Sequence, residues 1–133
     1  MLYVIWRGGV DGYSGGQEPI VHLVFRLEDL AVPGRFAITD GHAATPLSTQ
    51  YDAMDALEKI DWAVMRDPYW ADTDEDGDRK RRRQAEFLVH EQVPFASVRV
   101  IVAMNEDIAA RATEAVARLP KPPPVRVWPR WYY

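Results

Sequence analysis

The chain has 133 residues, a formal net charge of −4, 47% hydrophobic and 27% charged residues, and no cysteine. These values suit a globular protein, and we expect a single domain spanning residues 1–133. Without cysteine, disulfides, thiol nucleophiles and cysteine-ligated zinc are excluded, and the acidic balance argues against a generic coat for nucleic acid.

Two further absences bear on the compartment. No apolar run approaches the roughly 20 residues that a membrane span needs. The first residues also lack the basic-then-apolar pattern of a signal peptide. We therefore expect a cytoplasmic protein.

The first elements are apolar runs separated by turn formers. Residues 1–6 (MLYVIW) and 20–25 (IVHLVF) are each predicted to be a β-strand, and the second is expected to be central because it is almost wholly apolar. Glycines make residues 7–17 a flexible connector, which lacks the Lys-Ser/Thr pair of a P-loop. We expect His22, within the second run, to be packed and satisfied rather than a ligand.

Short helices and a turn are predicted next. Residues 27–30 favour one helical turn, 35–39 a strand and 52–60 a helix, which residues 61–65 continue or follow as a second short helix. The Asp-Gly pair in residues 40–44 (DGHAA) favours a turn directly after the strand.

The remaining elements are three strands and one helix. Residues 87–89, 98–104 and 125–128 are predicted to be strands, residues 106–119 an alanine-rich helix, and the prolines of residues 120–124 a stiff linker. Strands thus outnumber segregated helices. The pattern predicts an α+β fold, with mixed or antiparallel sheets and flanking helices.

An acidic segment precedes an abrupt change of charge. Asp72, Asp74 and Asp76 match the opening of an EF-hand loop, but the twelfth position, which needs a bidentate Glu, is Arg83. Calcium is therefore rejected. The five consecutive basic residues Arg79–Arg83 allow two interpretations: a solvated helix face, or a contact to a polyanion that relieves their mutual repulsion.

Glu86 stands directly behind this basic run, at the start of the strand that begins with Phe87. One interpretation is an outward-facing carboxylate on an edge strand, paired with a nearby arginine. The other is a catalytic carboxylate at the mouth of a cleft. The residues alone do not choose between them.

Three segments resemble the DarT family, the DNA ADP-ribosyltransferase toxins of bacterial toxin–antitoxin pairs. They are residues 18–25 (EPIVHLVF), 39–44 (TDGHAA) and 61–95 (DWAVMRDPYWADTDEDGDRKRRRQAEFLVHEQVPF). The resemblance implies the carboxyl-terminal part of an ADP-ribosyltransferase fold. It also implies a transferase that splits NAD, its co-substrate, and attaches ADP-ribose to a base in single-stranded DNA, with no metal.

The resemblance also implies roles for particular residues. Glu86 would be the catalytic carboxylate, holding the nicotinamide-side ribose and stabilising an oxocarbenium-like transition state. His42 would assist catalysis, and residues 45–83 would lie against DNA. The candidate DNA-binding residues are Met1, Tyr69, Trp70, Arg79, Lys80, Arg81, Arg82 and Arg83.

The chain departs from the family at its front. It begins where the second half of the family begins, so we expect that the NAD-binding N-terminal portion is absent and that NAD binding and transfer are affected. Two other hypotheses stay open: a non-catalytic remnant that binds DNA through Arg79–Arg83, with a salt slope of roughly −3.5, and a small interaction domain whose sheet edges pair with another chain. The partners considered are single-stranded DNA, a macrodomain-type antitoxin and a second copy of the chain.

Overall fold

A computed structural model of the protein describes residues 2–133, with side chains from Val4 onward. Met1, one of the candidate DNA-binding residues, lies outside the described residues. The helices and strands in chain order are α1 (Leu2–Trp6), β1 (His22–Val24), α2 (Leu27–Leu30), β2 (Phe36–Thr39), β3 (Gln50–Tyr51), α3 (Trp62–Arg66), α4 (Arg79–Arg82), β4 (Phe87–Val89), β5 (Val100–Ala103), α5 (Glu106–Val116) and β6 (Val125–Val127). Short 3₁₀ helices span Met54–Lys59, Phe95–Ser97 and Pro129–Trp131. None of the described helices is long and apolar enough to cross a membrane.

The chain divides into two compact units, each with its own sheet. The first unit consists of the chain up to Arg26 together with Pro94–Tyr133, and the second is Leu27–Val93. Below, these are called the flanking unit and the central unit. One sheet is mixed and the other is antiparallel. Together with the helices, they confirm the predicted α+β class.

The flanking unit is built on a mixed sheet of order β1-β5-β6. β1 pairs with β5 antiparallel and β5 pairs with β6 in parallel. Asn105 begins α5 by accepting a 2.9 Å hydrogen bond from the backbone N–H of Ile108, as an N-cap should. Val116 of this helix packs with Val98 and Ile101 to form the core of the unit.

The central unit has an antiparallel sheet of order β3-β2-β4. Ile38 of β2, 1% exposed, lies opposite Tyr51 on one side and Phe87 on the other. The core of the central unit also contains Phe36, whose ring stacks on that of Phe87 at 5.3 Å between centroids. The apolar stripe predicted in residues 52–60 packs here as well, on a 3₁₀ helix, where side chains three apart share one face.

The structure contradicts two expectations about the first elements. Residues Leu2–Trp6 form a helix, not a strand, and the N–H groups of Gly8 and Gly9 close it by bonding to the carbonyls of Ile5 and Val4. A short apolar run has no periodicity that separates helix from strand. Residues 20–25, predicted to be a central strand, contain β1, which lies at an edge of its sheet, and Leu23 is 44% exposed.

The other predicted elements are confirmed with small shifts in their ends. α5 ends at Val116 rather than at residue 119, and α3 is a second short helix rather than a continuation. β3, only two residues long, was missed because so short a strand has no alternation to detect.

Candidate active site and nucleic-acid interface

Glu86 lies in the central unit, immediately before β4, with its side chain exposed. One carboxylate oxygen, Oε2, accepts a 2.9 Å hydrogen bond from the backbone N–H of Ala43. Ala43 belongs to the turn after β2, so β2, β4 and this turn meet at the carboxylate. Among the described residues no ion pair to Glu86 is present, so the expected arginine partner of an ordinary surface glutamate is not seen there.

Thr39, the last residue of β2, fixes this arrangement. Its side chain is fully buried, and its Oγ1 accepts a 3.0 Å hydrogen bond from the backbone N–H of Glu86 while donating to the carbonyl of Gly41 at 2.7 Å. The Thr39 backbone N–H also donates to the Glu86 carbonyl at 2.9 Å. One hydroxyl therefore ties the residue that carries the carboxylate to the turn that holds it.

His42 lies in the same turn, one residue before Ala43. Its ring Nδ1 accepts a hydrogen bond from the backbone N–H of Ala44 at 3.1 Å, and the backbone N–H of His42 donates to the carbonyl of Arg81 at 3.2 Å. An accepting Nδ1 assigns the proton of a neutral imidazole to Nε2. The ring therefore presents a donor away from the turn.

Gly41 allows helix α4 to approach the turn. A Cβ at this position would clash with Nη1 of Arg81, and it would lie 2.9 Å from Cγ of Arg81 and 2.9 Å from Oγ of Ser48. Arg81 grips Asp78 with two 2.7 Å hydrogen bonds and reaches Asp40 at 3.1 Å. The basic helix is thus joined to the turn that contacts Glu86.

The other arginines of the basic run also bond within the central unit. Arg79 pairs with Asp67 at 2.8 Å, and Arg82 lies between Asp61 and Asp76 and pairs with both. Arg83 donates to the carbonyl of Val64 at 2.5 Å. The protein's own carboxylates therefore already relieve the repulsion between Arg79, Arg81 and Arg82, and a contact of this run to a polyanion stays a prediction.

The pKa values reflect these contacts. Hydrogen bonds from arginine hold the pKa values of Asp76 and Asp78 below their ordinary range, and a backbone N–H followed by Arg79 does the same for the pKa of Asp67. In return, Asp76 raises the pKa of Arg82. These groups therefore stay charged at neutral pH, and the network persists.

Lys80 differs from the four arginines. Its side chain is exposed, and no partner for its ammonium appears within the part of the chain that the structure describes. Its backbone N–H is capped by Asp72 at 2.7 Å, so the residue is fixed while its charge faces solvent. Lys80 is the member of the basic run that is best placed to meet a phosphate.

The two candidate stacking residues differ in the same way. Tyr69 is 54% exposed, with the Arg79 guanidinium 5.8 Å from its ring centroid. Trp70 is half-buried, and the Arg83 guanidinium lies over its ring at 4.2 Å. Tyr69 is therefore the more accessible of the two for a base.

Two cavities lie beside these residues. One of about 360 Å³ is lined by His42, Leu47, Lys80 and Gln84, among others. A smaller one, of about 100 Å³, is lined mainly by apolar side chains and by Glu86. The first is large enough for a nucleotide-sized group, whereas the second is below the usual size of a small-molecule site.

The structure thus brings Glu86, His42 and the basic helix together through residues that the sequence did not single out. Asp40 and Gly41 were predicted only as part of a turn, and Thr39 had no predicted role at the site. The signal was present in the turn after β2, but a turn motif does not reveal that its N–H groups face a carboxylate 43 residues later. The catalytic and DNA-binding roles themselves stay predictions.

Comparisons with known proteins give a consistent result. A family model described as "ssDNA thymidine ADP-ribosyltransferase, DarT" matches residues 1–133. Two proteins named DNA ADP-ribosyl transferase match the whole chain, one from Thermus sp. (strain 2.9) at 32% identity and one from Thermus aquaticus at 36%. The chain spans 63% and 58% of their lengths, respectively.

A solved protein has the same fold. Thermus sp. 2.9 DarT, in complex with NAD+, matches with a TM-score of 0.89 at 30% identity, over 99% of this chain and 66% of that one. The same protein in complex with ADP-ribosylated ssDNA gives the same TM-score over 99% of this chain and 63% of that one.

Proposed function

We propose that this chain, which belongs to the DarT family, supplies the catalytic carboxylate and the DNA-recognition segment for NAD-dependent ADP-ribosylation of a base in single-stranded DNA. The observation that carries the proposal is the Glu86 carboxylate, exposed yet held by the Ala43 N–H beside His42 and the basic helix. The family description names thymidine as the acceptor, and we propose the same base here.

The chemistry follows from where charge develops. Transfer breaks the bond between nicotinamide and a carbon of the ribose, which leaves positive charge on the ribose. The same carbon then forms a bond to a nitrogen of the base. A fixed carboxylate stabilises such a cation and the transition state that leads to it. The proton that the base loses goes to Glu86, and His42, with a donor at Nε2, assists beside it.

The described residues fit the reacting end of NAD better than the whole molecule. Glu86 offers a carboxylate to ribose hydroxyls, but the cavity it lines measures about 100 Å³. Small-molecule sites usually enclose roughly 300–1,000 Å³. We therefore assign to this chain the reacting end of the site, and no step that depends on gripping the adenosine half.

The segment 45–83 is proposed to lie along the DNA, with a division of labour inside it. Tyr69 offers an exposed ring to a base, and Lys80 offers an unengaged charge to a phosphate. The arginines shape the segment, because their guanidinium groups already bond to carboxylates and carbonyls. A macrodomain-type antitoxin is proposed as a protein partner from family membership alone.

The test is product formation by the chain with NAD and a thymine-containing oligonucleotide, detected as a mass increase of the DNA. Glu86→Gln keeps the size of the side chain and removes its charge, and we expect the rate to fall by about 10²–10³-fold. Glu58→Gln, at another exposed glutamate of the same unit, is the matched control. Product from Glu86→Gln at the wild-type rate would refute the role of Glu86.

A second candidate function is DNA binding without transfer, which the small cavity beside Glu86 favours. In that case the chain binds the oligonucleotide in a salt-dependent way and forms no product. Binding together with product excludes this alternative.

A further inference from the structure

Positive charge and aromatic rings are concentrated together in the flanking unit. Between Ala115 and Tyr133 there are four basic residues and no acidic one, although the whole chain has a net charge of −4. The same stretch contains Trp128 and Trp131, and both are exposed, by 41% and 44%. This combination differs from an ordinary apolar edge.

The sheet places an arginine and a tryptophan on one face. Residues two apart along a strand point the same way, so Arg126 of β6 shares its face with Trp128. Trp128 continues the strand by one hydrogen bond, since its N–H donates to the Ala103 carbonyl at 3.1 Å. The rings of Trp128 and Trp131 then lie 5.0 Å apart at an angle of 57°.

Hydrogen bonds of Tyr132 and Gln17 hold the aromatic segment, Pro129–Tyr133, in place. The Tyr132 hydroxyl donates to the Ile20 carbonyl at 2.8 Å and also lies 3.1 Å from the carbonyl oxygen of Val102. The Gln17 side chain, 6% exposed, accepts from the Tyr133 N–H at 2.9 Å and donates to its carbonyl. The tryptophan rings are thus presented from a fixed backbone rather than from a loose end.

His22 supports the rings from below. Its imidazole meets Trp131 edge-on at 5.5 Å and Tyr132 at 4.9 Å between centroids. Burial lowers the pKa of His22, so the ring is neutral at neutral pH and adds no charge beside the ring of Trp131. The expected packing of His22 is confirmed, but the expectation that its side chain is satisfied is wrong, since Nε2 has no hydrogen-bond partner among the described residues.

We propose that Arg126, Trp128, Arg130 and Trp131 form a binding surface for single-stranded nucleic acid, in the compact unit that does not contain Glu86. Both arginines are exposed, and neither has an ion pair among the described residues. Bases stack on tryptophan only when they are unpaired, and guanidinium groups bind the phosphates between them. This charge excess fits a polyanion better than an apolar protein partner, and the proposal does not require transfer activity.

The test is fluorescence anisotropy of a labelled oligothymidylate, titrated with the chain in the absence of NAD. We expect Trp131→Ala and Trp128→Ala each to weaken binding by about fivefold or more, the loss of one stacked base. The double variant Arg126→Gln, Arg130→Gln should reduce the slope of log affinity against log salt by about 1.4, since each single-strand phosphate contact contributes about 0.7. Because both arginines are exposed, this variant tests the proposal even if a tryptophan variant misfolds.

Matched controls come from the same unit. Phe95→Ala removes a ring of similar exposure, 43%, and Arg111→Gln removes an exposed cation from α5. Neither should change binding. The binding assay contains no NAD, so that loss of transfer and loss of this surface are distinguishable.

Three results would overturn the proposal. One is unchanged affinity and salt slope in the double arginine variant. Another is equal binding of duplex and single strand, because a duplex hides its base faces. The third is self-association that Trp131→Ala abolishes while oligonucleotide binding stays intact, measured by light scattering, which would make this surface an interface between copies.

Discussion

Two exposed segments of this protein are held in place by opposite means. The arginine-held segment, Asp67–Arg83 in the central unit, is fixed by guanidinium–carboxylate pairs such as those of Arg79 and Arg81. The aromatic segment, Pro129–Tyr133 in the flanking unit, is fixed by a phenol and a carboxamide. Both present rings and positive charge to solvent.

The difference concerns how each segment responds to conditions. Charge-assisted hydrogen bonds are strong, but partly exposed ion pairs weaken with salt and vanish when the carboxylate is protonated. Neutral hydrogen bonds to buried carbonyls are indifferent to salt. The candidate active site adjoins the ionic segment through Arg81, so its geometry should depend on ionic conditions.

The largest expected effect comes from removing Arg82, which lies between Asp61 and Asp76 with a side chain only 24% exposed. Arg82→Ala leaves two carboxylates without their arginine partner, and we expect it to lower the free energy of unfolding more than any of the variants below. Urea denaturation measures it. Arg66→Ala, at an exposed arginine of the same unit, should change the stability by less than about 0.5 kcal/mol.

Thr39 is an uncharged residue that bonds to the turn next to the arginine-held segment. A variant at this position therefore separates the effect of neutral hydrogen bonds from that of ion pairs. Thr39→Val preserves shape but leaves the Glu86 N–H and the Gly41 carbonyl without their partner, at an expected cost of about 2 kcal/mol. If transfer is active, its rate should fall while the affinity for the oligonucleotide stays constant. Thr39→Ser should restore both stability and rate; a serine variant as impaired as valine would contradict the role of the hydroxyl.

How much of this could be read from the sequence depends on the range of the interaction. The start of α5 at residue 106 was predicted correctly, and the cap that Asn105 forms there acts within one turn. The change of charge at residue 79 was visible in the sequence. The pairing of Arg81 with Asp40 and of Arg82 with Asp61 was not, since those partners lie up to 41 residues away. Glu86 was a candidate because of its position and the family resemblance. Its hydrogen bond from the Ala43 N–H could not be predicted, because only the fold brings the two residues together.

A smaller effect is expected in the aromatic segment. Tyr132→Phe removes the hydroxyl that reaches Ile20 and Val102 and should cost about 1 kcal/mol, without any dependence on salt. Tyr13→Phe is the control, because its hydroxyl donates to the Gly16 carbonyl at an exposed position. Equal losses in the two variants, or a loss that salt modifies, would remove the distinction between the segments.

Acidification should have the smallest effect on stability, and it should affect the two segments in different pH ranges. The pKa of Asp76 is lowered from 3.8, mainly by Arg82, so the stabilisation it provides is complete above pH 3.8 and is lost as the pH falls through the lowered value. Burial lowers the pKa of His22 from 6.5, so the folded state opposes its protonation. The stabilisation from neutral His22 is therefore complete above pH 6.5 and is lost as the pH falls towards its lowered pKa.

The aromatic segment should consequently loosen before the arginine-held segment on acidification from neutral pH. Hydrogen exchange, corrected for the intrinsic effect of pH, should show faster exchange in residues 130–133 as the pH falls below 6.5, while residues 67–83 keep their protection until the pH falls below 3.8. His22→Phe retains an aromatic ring against Trp131 without a titrating group, so it should abolish the first change and leave the second intact. If residues 67–83 lose protection first, the ionic pairs are weaker than the geometry indicates, and the comparison between the two segments is reversed.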